Sequence, residues 1–237
     1  MMRVRILGTR GEIESTAPWH SRHSGVLVNG KVMFDLGEEE FLALGPRAIF
    51  ITHLHPDHAY FVRGYGRRQI VMVGPPVYAP EPSERMPDII VVSATVRVAG
   101  LTVTPIPTHH GKYIKSSAYL VEAGEGSTRK RLLYTGDVIW INKEHWPVLE
   151  GLDLVITEGS FIRKGGVVRR DARTGILYGH NGVPDLVALF SKFTRRIVVM
   201  HFGEWFYEDV KAARKQLAAL GNGVKVMAAR DRMEITL

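Results

Sequence analysis

Apolar and polar positions along this chain fall mostly into short runs of β type, and only three stretches repeat at helical spacing. Arg3-Val4-Arg5-Ile6-Leu7-Gly8 alternates its first apolar residues and reads as a strand over 3–8. Further strands are expected near 25–35, 48–52, 69–73, 89–98 and 102–106, then near 117–123, 131–135, 153–157, 196–200 and 233–236. Ala48-Ile49-Phe50-Ile51-Thr52 and Ile197-Val198-Val199-Met200 are continuous apolar runs with β-branched residues, the pattern of buried strands. Ala99-Gly100, between Arg97-Val98 and Leu101-Thr102-Val103, predicts a hairpin. Helices are expected over Asn142 to Leu149, Pro184 to Lys192 and Tyr207 to Leu220. In the last, Val210, Ala213, Leu217 and Leu220 recur on one face, and Gly221 follows as a stop. The result is two β-rich halves separated and followed by helical segments.

Composition narrows the class. No polar linker, repeat or low-complexity run divides the 237 residues, so one domain over 1–237 is expected. A hydrophobic share of 45% is ordinary for a chain with a real core. No run approaches the roughly 18 apolar residues that span a bilayer, and the N-terminus reads as a strand rather than a signal peptide. There is no cysteine, hence no disulfide and no thiolate ligand. A cytoplasmic protein without membrane partners is expected.

The chemistry is concentrated in His53-Leu54-His55-Pro56-Asp57-His58, which puts three of the ten histidines and one aspartate into six residues. Imidazole nitrogen and carboxylate oxygen both suit Zn²⁺ and similar metals. His53 and His55, two apart in extended backbone, point to the same side, whereas Asp57 and His58 are adjacent and diverge. That spacing suggests two metals. The expected strand ends at His53, and Ala59-Tyr60-Phe61-Val62 could open a helix with Asp57 at or near its N-cap. Other single residues stand at strand ends. His201 follows Ile197–Met200, and Asp137 follows Leu132-Leu133-Tyr134-Thr135-Gly136.

His53-x-His55-x-Asp57-His58 resembles the signature of the metallo-β-lactamase-fold hydrolases. The remaining motifs of that family appear in order. They are Phe34-Asp35-Leu36-Gly37, Pro107-Thr108-His109-His110-Gly111, Tyr134-Thr135-Gly136-Asp137 and Val198-Val199-Met200-His201-Phe202-Gly203. The resemblance implies an α/β (α+β) fold, an αββα sandwich of two mixed β-sheets flanked by helices, with the metal residues on loops along one edge. It implies that His53, His55 and His110 hold one divalent ion, that Asp57, His58 and His201 hold another, and that Asp137 bridges them. Zn²⁺ is the expected metal, with Mn²⁺ or iron as alternatives. His110 is preferred to His109 because a small residue, here Gly111, often follows the family's histidine. Asp35 is expected to support the ligand loop through hydrogen bonds.

The bond cleaved is less sharply marked. Tyr178-Gly179-His180-Asn181-Gly182, the opening Leu7-Gly8-Thr9 and Asp153 to Phe161 resemble the ribonuclease Z and cyclic-phosphodiesterase branch. In that branch the histidine corresponding to His180 sits beside the metals. The candidate catalytic residues are Asp57, also a ligand, and His180, which would protonate the leaving oxygen or bond the substrate. The long Gly- and Pro-rich arm that grips transfer RNA has no room between His110 and Asp137. These features imply a phosphodiesterase acting on a small or nucleotide-like phosphodiester through a metal-bridging hydroxide. Hydrolysis of a lactone, thioester or amide is the alternative, and a non-hydrolytic metal-binding protein the third reading. A net charge of +7 and a pI near 9.7 favour an anionic substrate. Basic pairs such as Arg67-Arg68 and Arg169-Arg170 leave nucleic acid open, although no binding motif indicates it. A homodimer is also left open.

Overall fold

A computed structural model describes residues 1–63, 69 and 74–237. The chain first lays down β1 (Arg3–Gly8), β2 (Gly25–Val28), β3 (Val32–Phe34), β4 (Ala48–Phe50), β5 (Val77–Ala79) and β6 (Ile90–Val91). It continues with β7 (Val96–Val98), β8 (Leu101–Thr108), β9 (Ser116–Ala123), β10 (Lys130–Tyr134) and β11 (Leu154–Gly159). A short hairpin, β12 (Val167–Arg170) and β13 (Leu177–His180), precedes helix α1 (Val183–Phe190). The chain ends with β14 (Arg196–Phe202), α2 (Glu204–Glu208), α3 (Val210–Ala219), β15 (Lys225–Ala228) and β16 (Glu234–Thr236).

Two seven-stranded mixed sheets result, ordered β16-β1-β2-β3-β4-β5-β6 and β15-β14-β11-β10-β9-β8-β7. Alternation along the strands decides what each face buries. Val4, Ile6, Phe34 and Phe50 of the first sheet meet Tyr119, Val121, Tyr134, Ile156, Val198 and Met200 of the second in a core between the sheets. Ile197 and Val199 point the other way and pack under α1 and α3, with Leu186, Phe190 and Leu217. β14 is therefore apolar on both faces, which is why its sequence runs without alternation. The outer face of the first sheet is covered by Phe41 and Phe61 from single 3₁₀ turns at Glu39–Leu44 and Tyr60–Val62. The two-layer β sandwich with outer helical cover is the expected αββα class, though its first outer layer is built of 3₁₀ turns. No helix among the described residues is long and apolar enough to cross a membrane.

Several expected elements differ. The halves of the chain are not the sheets. β7 and β8 belong to the second sheet, and β16 returns from the C-terminal end to pair with β1. The run 25–35 is two strands, reversed at Asn29-Gly30, both at positive φ. The run 89–98 also splits, because Val92 to Thr95 leave one sheet for the other. β5, β15 and the β12–β13 hairpin are too short to show a period. The helix expected over Asn142 to Leu149 is a 3₁₀ element, Lys143–Leu149, with Pro147 inside it, a residue that removes an α-helical donor. The helix expected over 207–220 breaks at Asp209, whose carboxylate caps α3 by accepting from Ala212 N–H. Only one 3₁₀ turn follows His58, its N-cap is Ala59, and Asp57 caps nothing. The Ala99-Gly100 hairpin is present, both residues at positive φ. Residues 70–73 of the expected strand 69–73 and the Arg67-Arg68 pair lie outside the described residues.

Candidate metal centre

Seven side chains expected as ligands converge where the C-terminal ends of β4 and β10 and the strand β14 meet the ends of β8 and β13. His53, His55, His110 and Asp137 form one group, and Asp57, His58 and His201 a second; in each, one ligand-type atom per residue lies within 4.8 Å of the others. In the first, His55 Nδ1 is 3.0 Å from His53 Nε2 and 3.1 Å from His110 Nε2. Asp137 Oδ2 stands 3.7 Å from His53 Nε2 and 3.6 Å from His110 Nε2. In the second, Asp57 Oδ2 is 2.7 Å from His201 Nε2 and 3.8 Å from His58 Nε2. Asp137 spans both groups, with Oδ1 3.2 Å from His58 Nε2.

The local backbone is bent to bring these atoms together. His201 lies in β14 at a bulge against β11, at φ +55°, a conformation that costs free energy in a non-glycine residue and gathers at functional sites. Asp35, at φ +58° after β3, turns its carboxylate under the ligand loop. It accepts from Thr52 N–H at 2.7 Å, Tyr134 O–H at 2.7 Å and His58 Nδ1 at 2.7 Å. Gly136 precedes Asp137 at φ +56°, and a Cβ there would meet Thr52 Oγ1 at 2.4 Å, so this turn requires glycine.

The partners of the imidazoles assign their tautomers. His53 Nδ1 faces the Thr52 hydroxyl at 3.0 Å, His110 Nδ1 donates to Gly179 O at 2.8 Å, and His58 Nδ1 donates to Asp35. His201 Nδ1 lies 3.1 Å from the Ser160 hydroxyl. In each of these rings Nε2 is left to face the cluster, as an imidazole ligand held by an outer partner does. Gly179 also donates its N–H to His110 O at 2.8 Å, so β13 clasps this histidine twice. His109 points elsewhere. Its Nε2 lies 3.0 Å from Asn142 Oδ1, and its backbone bonds Trp140 and Ile139.

Charge states follow from burial and neighbours. Burial, then the adjacent His58 and His110, holds His53 well below the usual imidazole range. Burial and His110 push His55 down to about 4, and burial lowers His110. These three are neutral lone-pair donors. Burial opposes ionisation of Asp137, but His201, His58 and His180 hold it well below the usual carboxylate range. Burial also opposes charge on His58, yet Asp137 and Asp35 push it well up. Buried His58 Nε2 and Asp137 Oδ1 have no hydrogen-bond partner, a cost that a shared cation would remove. Ligands held about 2.0–2.1 Å from a tetrahedral Zn²⁺ are about 3.4 Å apart, close to the 3.0 to 3.7 Å spacings of the first group. The donor set therefore fits divalent metal.

A third group adjoins these. His180, the last residue of β13, puts Nδ1 2.7 Å from Glu158 Oε2 and 3.7 Å from Asp137 Oδ2. Burial disfavours its charge, but Glu158 and Asp137 push it up to about 9. Glu158, assigned no role in the sequence reading, is buried. It accepts from Val138 N–H at 2.7 Å and from Ser160 O–H. In the sequence it is the acid that ends the apolar run Leu154 to Thr157, inside the Asp153 to Phe161 stretch that carries the family resemblance. A cavity of about 610 Å³ opens over His55, Asp57, Asp137, His180 and His201, within the size range of small-molecule sites. Its walls come from Gly11 to Ile13, Ser160 and Phe161, and Phe202 to Trp205.

Comparison with known proteins agrees with this architecture. The metallo-β-lactamase fold protein YhfI from Bacillus subtilis superposes with a TM-score of 0.67 at 17% identity, covering 100% of both chains. A diphosphatase from the PhnP family gives 0.67 at 16% identity, covering 100% of this chain and 98% of that one. The short form of human tRNase Z gives 0.61 at 20% identity, covering 99% and 98%. At these identities the likeness is one of fold. No curated protein matches the sequence. The family model for the beta-lactamase superfamily domain matches residues 43–202, from the 3₁₀ turn before β4 to the end of β14. The chain belongs to the β-lactamase superfamily, in its metallo-β-lactamase fold.

Proposed function

We propose that this protein is a dinuclear metal-dependent hydrolase that cleaves a small phosphodiester. The observation that carries this reading is Asp137, at the floor of the cavity, whose Oδ2 faces His53 and His110 and whose Oδ1 faces His58. His53, His55 and His110 would hold one ion, Asp57, His58 and His201 the other, and Asp137 both; Zn²⁺ suits this nitrogen-rich set, with Mn²⁺ or iron as alternatives. Two bound ions would supply an activated water near neutral pH and stabilise negative charge developing on the substrate.

The chain's own groups account for the rest. His180 lies at the cavity floor with Nδ1 2.7 Å from Glu158 Oε2, a carboxylate contact that favours its protonated form and suits it to act as a proton donor. Its Nδ1 is bound to Glu158, which leaves Nε2 to deliver the proton to the leaving oxygen. Ser160 ties Glu158 to His201, so the proton donor and a ligand share one support. Asp57, expected from the sequence to be catalytic as well as a ligand, has its carboxylate against His201, which supports the ligand role.

Hydrolysis of an uncharged ester or lactone is the second reading. It is favoured by the cavity lining, which contains no Lys or Arg among the described residues. The deciding experiment is turnover of bis-p-nitrophenyl phosphate against a lactone panel, using metal-stripped protein to which Zn²⁺ or Mn²⁺ is returned. Metal-dependent diester cleavage is expected. Turnover confined to lactones would replace the reading with the second, and turnover of neither would overturn both.

A further inference from the structure

The net charge of +7 belongs to the chain as a whole; the cavity over the metal centre has a different character. Phe161, Trp205 and Ile13 form its wall, and Glu12 and Glu204 are its charged residues away from the floor. Trp205 is fixed, with Nε1–H donating to Gly159 O at 2.8 Å and its ring edge-on to Phe202 and Phe206. Phe161 lies 5.9 Å from the His180 ring, so the apolar wall begins beside the proposed proton donor. Glu12 has a cation partner, Arg63, at 3.6 Å. Glu204 contacts the Ser15 hydroxyl and has no ion-pair partner among the described residues. No lining Lys or Arg among the described residues is placed to bind a second phosphate.

We propose that the substrate is a phosphodiester whose scissile phosphate is its only anion and which carries a flat apolar group. That group packs against Trp205 and Phe161, and Glu204, with Glu12, rejects a further negative charge. The proposal rests on the hydrolase reading and specifies its substrate class. The reasoning is one of complementarity. A fixed aromatic wall gains from burying a ring, and an exposed carboxylate without an ion-pair partner at the mouth repels a second anion.

The test measures binding separately from turnover. Dimethyl phosphate, diphenyl phosphate and bis(4-carboxyphenyl) phosphate share one phosphodiester centre and differ in the apolar group and in added charge. Their affinities for the metal-loaded protein are measured by calorimetry, and their inhibition of bis-p-nitrophenyl phosphate turnover in parallel. Diphenyl phosphate should bind at least about tenfold more tightly than dimethyl phosphate, a difference of about 1.4 kcal/mol. The dicarboxylate should bind at least about tenfold more weakly than diphenyl phosphate. Trp205→Ala, or Phe161→Ala if the first variant misfolds, should erase the first ratio. Glu204→Gln should shrink the second, and Glu12→Gln should shrink it less. Equal binding of the methyl and phenyl diesters, or tighter binding of the dicarboxylate, overturns the proposal even if turnover stands. Absence of turnover with the ratios intact overturns the hydrolase reading and leaves the pocket chemistry in place.

Discussion

The two ligand groups stand a few ångströms apart and share Asp137, yet they are supported differently. In the first, neutral imidazoles are held by a main-chain carbonyl, Gly179 O on His110, and by a hydroxyl, Thr52 on His53. In the second, a buried carboxylate holds the ring, Asp35 on His58, and two carboxylates, Asp57 and Asp137, face it. A carboxylate behind an imidazole raises its basicity as a ligand, whereas a carbonyl mainly fixes its direction. The first position therefore depends on a main-chain carbonyl and one hydroxyl, the second on a network of replaceable carboxylates. Mutations should separate them.

Asp137 is where the comparison should collapse. Asp137→Ala removes the carboxylate common to both groups, so it should lower occupancy at both positions from about two ions per chain and abolish turnover. Elemental analysis after reconstitution with excess metal tests this. Full activity in the variant would remove Asp137 from the site. At the first position alone, His110→Ala should lose one ion of two, while His109→Ala, whose ring bonds Asn142, should keep both. The reverse result would mean that the clasp by Gly179 holds a ring with no part in metal binding.

His180 belongs to neither group, so His180→Ala should leave metal content unchanged and lower kcat by about 10²–10⁴-fold. The loss should shrink for a p-nitrophenolate leaving group, which needs no proton, and stay large for an alkoxide-like one. Unchanged rates on both would make His180 a structural end to β13.

Much of this site could be read in the sequence because its residues sit at strand ends, where a run of β-formers stops at a His or Asp. His53, Asp137 and His201 all stand out this way, while their gathering along one edge of the sandwich is implied by the family resemblance and not by the β-rich pattern. Glu158 ends such a run too, but a lone acid has no spacing to distinguish it from a turn residue. The support by Tyr134, Thr52 and Ser160 was invisible, because hydroxyls have no periodicity and their partners lie in other strands. The cavity wall was hidden for a similar reason. Trp205 and Phe161 have no sequence pattern that marks them, and only the segments that follow β11 and β14 bring them over the ligand cluster. The swap of β7, β8 and β16 between sheets leaves no local signal either, since pairing partners are chosen by the whole core.

Asp35 separates the two positions more finely. Asp35→Asn keeps the shape but replaces the carboxylate behind His58, so it should weaken metal at the second position by about 10–100-fold and leave the first nearly unchanged. Competition with a chromogenic chelator would show two affinities where the unaltered protein shows closer ones. An equal loss at both positions would mean that Asp35 organises the whole loop through Thr52, and the proposed division between the groups would fail.

The smallest effect expected is that of Tyr134→Phe, which removes one of the donors to Asp35 and nothing else within reach of the ligand cluster. The hydroxyl donates to Asp35 Oδ2 at 2.7 Å from a fully buried ring. Its loss leaves a buried carboxylate with one partner fewer, at a cost on the order of 1–3 kcal/mol of stability. Asp35 retains Thr52 and His58, so the second-position affinity should change by less than about tenfold, in the same direction as in Asp35→Asn and smaller. Measured together, thermal unfolding and chelator competition separate two ways in which the tyrosine could act. A drop in stability with unchanged affinity at both positions would show that the hydroxyl only satisfies a buried charge. A second-position loss as large as that of Asp35→Asn would show that the orientation of Asp35, more than its charge, sets the ligand strength of His58.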